Sequence, residues 1–104
     1  MIVTGGFNIY PREVEDVLTA DSAVAEAAVI GVPHPHWGEA VTAVVVPRAC
    51  KTIDPDALAA SVRARKGALH VPKAIHIVDA IARTPLGKPD KKALRSRYAT
   101  EPYV

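Results

Sequence analysis

The segment RTPLGKPDKK, residues 83–92, sets a lysine between a glycine and a proline. Gly87 frees the backbone for unusual angles, and Pro85 and Pro89 stiffen the chain on either side. Lys88 therefore belongs to a loop built to hold one shape. Arg83, Lys91 and Lys92 lie within five positions of it. Two readings follow. Lys88 is a solvated loop lysine, the usual fate of this residue type, or its ammonium is held out toward an anion. A helix predicted to begin at Pro89 places Lys88 at the positive end of a helix dipole. A cation is unfavourable there, and a nearby anion would relieve it.

Three other groups of residues could carry chemistry. The pair Gly5-Gly6 suits a hairpin turn or the close approach of a ligand, but it lacks the further glycines, lysine and hydroxyl of a phosphate cradle. His34, His36 and Glu39 flank Trp37 and Gly38. Two imidazoles and a carboxylate fall short of a four-ligand structural zinc set, and Cys50, His70 and His76 stand at no motif spacing to complete it. No metal site is predicted. Trp37 is expected on the core edge, and Glu39 in a hydrogen bond or salt bridge. Ser22, Ser61 and Ser96 are the serines of the chain, and none sits in a G-x-S-x-G elbow.

The elements that must position these residues are legible from their punctuation. Residues 1–4 and 7–10 form a short hairpin about Gly5-Gly6. Pro11 opens a helix over residues 11–20, with Val14, Val17 and Leu18 on one face. Residues 24–33 form a strand ended by Gly31 and Pro33, HPHWGE is a loop, and residues 40–48 form a second strand. Asp54 caps a helix with Pro55 at its first position, Leu58 and Val62 on its apolar stripe and Gly67 at its close. A third strand covers residues 74–79. A last helix spans residues 89–98, with Leu94 and Tyr98 four positions apart, and ATEPYV frays. The fold class is α+β: a small domain with a mainly antiparallel sheet of three strands plus an N-terminal hairpin, and three packed helices.

Bulk properties narrow the function. The 104 residues suit one domain, and 49% hydrophobic with 23% charged residues is an ordinary composition for a soluble one. Thirteen basic residues against 11 acidic ones leave +2, too small an excess to argue for nucleic acid. The aromatics Phe7, Tyr10, Trp37, Tyr98 and Tyr103 form no stacking platform either. A single cysteine, Cys50, makes no internal disulfide and fits a cytoplasmic location. No apolar run approaches the roughly 20 residues of a membrane span. Gly5, Gly6 and Asn8 interrupt any signal-peptide pattern. The opening MIVTGGFNIYP has no polar leader and reads as a boundary with a partner upstream.

Three segments then occur together in order. TGGFNIYPREVEDVL resembles the opening of the C-terminal domain of acyl-CoA synthetases, in the adenylate-forming superfamily. VAEAAVIGVPHPHWGEAVTAVVV is similar to its next segment, and VPKAIHIVDAIARTPLGKPDKKALR to its closing one. The resemblance runs from residue 1 to about 98. It implies that residues 1–104 are the lid of a larger enzyme whose N-terminal domain binds ATP and a carboxylic acid. Lys88 matches the lysine that enters the site in the adenylating pose. Gly5 and Gly6 match the loop that lines the pantetheine channel in the thioester-forming pose. The parent enzyme would use ATP, Mg²⁺ and CoA on a fatty or similarly apolar acid, while the chain alone would bind no cofactor and be inactive. Expected partners are the N-terminal domain, the acyl-adenylate and a lysine acetyltransferase acting on Lys88. Two departures stand out: Leu69 and His70 replace a common tyrosine-lysine pair, and Ala82 replaces a common proline.

Physical chemistry accords with that role for Lys88. Adenylation brings a carboxylate up to a phosphate, and a fixed ammonium between two anions lowers the barrier. Two readings from other classes remain: a stand-alone binding or regulatory module acting in trans on a separate synthetase, and a small structural interaction domain with no role for Lys88.

Overall fold

The computed structural model describes residues 2–34, 38–81 and 83–98. Met1, His36, Trp37, Ala82 and the ATEPYV tail lie outside the described residues, and so does the side chain of Tyr98. Strand β1 (Ile2–Thr4) and strand β2 (Phe7–Ile9) form the expected hairpin, and helix α1 (Pro11–Thr19) follows. Two long strands come next, β3 (Val24–His34) and β4 (Gly38–Pro47). Helix α2 (Pro55–Lys66) and a 3₁₀ turn (Ala68–His70) lead to β5 (Ala74–Ile77), and helix α3 (Lys91–Tyr98) is the last element among the described residues.

Strand β4 is the centre of the sheet. One edge pairs with β3, antiparallel, from Val24↔Pro47 to His34↔Gly38, with an irregularity between Val24 and Glu26. The other edge takes β1 at Thr4↔Gly38 and then β5, in parallel, from Thr42↔Ala74 to Val45↔Ile77. The parallel step requires a crossover, which α2 supplies. The sheet is otherwise antiparallel, as expected.

Helices cover both faces of this sheet. Alternate residues of β3 and β4 point to opposite sides. Val29, Val41, Ala43 and Val45 join Val14, Val17, Leu18, Leu58 and Val62 in one core under α1 and α2. Ala28, Ile30, Val32, Ala40 and Val44 join Ile81 and Leu94 in a second core under α3. Burial on both faces explains why these strands read as continuous apolar runs rather than as alternating ones.

The helix starts follow their punctuation. Asp54 accepts from the Asp56 and Ala57 amides at 3.0 and 3.4 Å, with Pro55 at the first position of α2. Gly67 leaves α2 with φ +93°, a left-handed value that glycine adopts without strain. Pro11 opens α1, which buries Val14, Val17 and Leu18.

Four boundaries differ from the sequence reading, the simplest being that β5 ends at Ile77 rather than at residue 79, where its pairing with β4 stops at Val45. Strand β3 passes through Gly31 and Pro33 instead of ending there, because both pair with β4, at Val41 and Glu39. Proline is tolerated because β3 is an edge strand. Gly38 and Glu39 belong to β4 rather than to a loop, since they pair with His34 and Pro33. Helix α3 begins at Lys91, not Pro89. Pro89 forms a bridge with Arg83, and the Asp90 carboxylate caps the helix by accepting from the Ala93 amide at 3.1 Å. Lys88 thus precedes the cap and is not at the helix terminus, so the dipole argument for it lapses.

Candidate functional site

The lysine loop is closed by its own backbone. The Gly87 amide donates to the Thr84 carbonyl at 2.9 Å, and the Thr84 amide donates to the Lys88 carbonyl at 2.8 Å. Pro85 follows Thr84 where a turn favours a fixed φ, and Gly87 takes φ +83°. One side chain fastens this loop to the sheet. The Arg83 guanidinium donates through Nη1 to the Gly87 carbonyl at 3.0 Å. Its Nη2 pairs with the Glu26 carboxylate on β3. Arginine suits this double duty because its fork presents several donors in fixed geometry. Leu86 at the tip is 86% exposed, and Lys88 is exposed beside it. Of its basic neighbours, Arg83 is spent on Glu26, and Lys91 on Glu15 at 2.9 Å.

The glycine loop is a two-residue hairpin turn. Thr4 pairs with Phe7 across it, and Gly5 and Gly6 take φ +56° and +83°. Two consecutive positive values are the signature of a type I′ turn. A Cβ at either glycine would meet nothing within 4 Å. Within this chain, then, the backbone angle favours glycine, while crowding does not demand it. Val3, Phe7 and Tyr10 are exposed beside the turn.

The two loops are carried at opposite ends of one ladder. Arg83 is tied to Glu26, which pairs with Val46. The hairpin joins the sheet at Gly38, which pairs with His34. Glu26 and His34 are eight residue steps apart on β3, roughly 26 Å at the rise of an extended strand. Because β1 runs antiparallel to β4, its turn extends past the Gly38 end, away from the lysine loop.

The remaining candidates do not assemble. Among the described residues, no three His, Cys, Asp or Glu side chains stand close enough to share a metal ion. His70 instead faces Glu13 at 3.3 Å. Cys50 is an exposed free thiol in a turn, with φ +62°. Glu39 makes the hydrogen bond expected of it, accepting from the Val3 amide at 2.9 Å. No described helix is long and apolar enough to cross a membrane. Sequence reasoning noted Arg83 only as a nearby charge and missed its partner Glu26. An arginine five positions before the lysine, across a Pro-Gly turn, was the available signal.

The profile of the AMP-binding enzyme C-terminal domain matches residues 13–88. A medium/long-chain-fatty-acid–CoA ligase of Mycobacterium tuberculosis is 51% identical over 94% of this chain and 18% of its own length. A feruloyl-CoA synthase of an Amycolatopsis species is 46% identical over 94% of this chain and 20% of its own. The amide bond synthetase McbA of Marinactinospora thermotolerans superposes with a TM-score of 0.88 at 46% identity, over 92% of this chain and 20% of that one. The chain therefore spans about a fifth of the length of these relatives. With the profile matched over residues 13–88 and these relatives covering over nine-tenths of its length, the chain belongs to the AMP-binding enzyme C-terminal domain family.

Proposed function

We propose that this chain is the mobile C-terminal lid of an ATP-dependent acid–CoA ligase, with Lys88 serving adenylation and Gly5-Gly6 serving thioester formation. The parent enzyme joins a carboxylic acid, ATP and CoA into acyl-CoA, AMP and pyrophosphate. Its large N-terminal domain holds ATP with Mg²⁺ and the acid, and a fatty or similarly apolar acid fits the relatives. Lys88 works as a fixed positive charge between the carboxylate and the α-phosphate, not as a general base. Acetylating it removes that charge and silences the first step. The hairpin lies against the pantetheine arm in the second step. The 104-residue chain alone is inactive.

The observation that carries this reading is the placement of the two loops at opposite ends of the β3–β4 ladder. Neither can reach the other's position, so a domain using both at one reaction centre must turn between steps, as gating lids do. Half-reactions of the parent enzyme test it. Lys88→Ala is expected to lower ATP–pyrophosphate exchange by about 10²–10³ while thioester formation from supplied acyl-adenylate stays near wild type. Equal loss in both steps, or loss in neither, would refute the assignment.

A further inference from the structure

The glycine hairpin is poorly secured by backbone alone. Its strands are three residues each, and isolated two-stranded hairpins are marginal in water. Only one register pair, Thr4↔Gly38, joins β1 to β4. The next amide along, Val3, finds its acceptor in a side chain: the Glu39 carboxylate takes it through Oε1 at 2.9 Å. That carboxylate has a seat prepared for it. Gly31 lies on the same face of the sheet, one strand over, and a Cβ there would stand 2.6 Å from Glu39 Oε2 and 3.0 Å from Ile2 Cγ2. The first contact is closer than packed atoms tolerate and the second is tight, so an alanine would displace the Glu39 carboxylate and weaken its hold on the Val3 amide. Gly31 has no left-handed angle to explain it. Its lack of a side chain is explained by the space it leaves, as glycine in a strand interior often marks close approach.

We infer that Glu39, seated over Gly31, is a positioning residue for the Gly5-Gly6 hairpin and so sets the rate of the thioester-forming step; the second half rests on the proposed function. A charge-assisted bond to a backbone amide is stronger than a neutral one. Here it fixes the strand that leads directly into the turn. The role is specific to one end of the domain, since the lysine loop is held separately by Arg83 and Glu26.

Amide hydrogen exchange on the 104-residue chain and half-reactions of the parent enzyme test both halves. Glu39→Ala and Gly31→Ala should each raise exchange at Val3, Thr4 and Phe7 by about tenfold or more, the shift expected when one net hydrogen bond is lost. Val44 in the sheet centre should stay protected. Glu39→Gln keeps an Oε1 acceptor and should restore most of the protection. In the parent enzyme, Glu39→Ala should slow thioester formation from acyl-adenylate and leave pyrophosphate exchange near wild type. Unchanged exchange at Val3 in both alanine variants overturns the clamp. Faster exchange with equal loss in both half-reactions overturns the step-specific role. A Gly6→Val control separates the two ideas. If it slows thioester formation while Glu39→Ala does not, the inference fails and the proposed function stands. If Gly6→Val itself leaves that step untouched, the hairpin's assigned role fails, and the step-specific half of this inference fails with it.

Discussion

Glu15 Oε2 accepts a hydrogen bond from the Val29 amide at 2.8 Å, although one residue lies on a helix and the other on a strand. Val29 donates here because, among the described residues, no strand lies on the outer side of β3, so its amide faces outward. The same oxygen lies 2.9 Å from the Lys91 ammonium. Helix α1 covers one face of the sheet and α3 the other, so one carboxylate ties both layers across the bare edge of β3. Covering an exposed edge also blocks pairing with a foreign strand.

Removing that carboxylate should cost stability. Glu15→Ala leaves the Val29 amide and the half-buried Lys91 without their shared acceptor. A hydrogen bond to a charged group contributes about 1.5–3 kcal/mol, and partial exposure places the loss at the lower end. Urea unfolding of the chain should show a lower midpoint at unchanged slope. A midpoint within error of wild type would remove Glu15 from the account of this edge.

The arginine fastening should separate loop order from global stability. Arg83→Gln breaks the bond to the Gly87 carbonyl and the pair with Glu26. Both groups are well exposed, so the pair adds only about 0–1 kcal/mol to folding. Exchange of the Thr84 and Gly87 amides should nevertheless speed up. Pyrophosphate exchange in the parent enzyme should fall about tenfold, because small misplacements of a reacting group are costly. Glu26→Gln, which spares the bond to Gly87, should be milder. A Glu26 variant worse than the Arg83 variant would contradict this order.

The hairpin turn should discriminate among side chains by backbone angle. Gly6 at φ +83° tolerates no β-branched residue, and Gly6→Val should cost about 1–2 kcal/mol. Gly5 at φ +56° lies where asparagine is accepted, so Gly5→Asn should leave the thermal midpoint nearly unchanged. Thermal unfolding of the two variants measures the contrast, and equal midpoints would exclude the I′ turn.

The cap of α2 offers a local check. Asp54→Ala removes the acceptor for the Asp56 and Ala57 amides and should cost about 1 kcal/mol, with Asp54→Asn or Asp54→Ser recovering most of it. Denaturant titration resolves that difference.

The sequence exposed whatever is encoded locally. Pro11, the Asp54-Pro55 pair and Gly67 punctuate helices by rules that act within a few residues, and those helices stand close to their expected bounds. The valine-rich runs marked the long strands. What stayed hidden depends on register. Gly31 reads as a strand end until Glu39 is known to lie over it. Pro89 reads as a helix start until its bridge to Arg83 is seen. Glu26 and Glu15 look like ordinary surface acids, because nothing nearby in the chain says that Arg83 and the Val29 amide will meet them. Lys88 itself was singled out by its Gly-Pro frame and by family resemblance. In the structure it stands exposed on its loop.

Strands β3 and β4 pair without a break from Ala27↔Val45 to His34↔Gly38, with a packed layer on each side. Such a body has no joint of its own. It behaves as a stiff lever: a rotation that swings one tip inward carries the opposite tip outward by the same angle. The joint that turns it must therefore lie in a connection outside the ladder, and under the proposed function the two tips would exchange places with no signal passed between them.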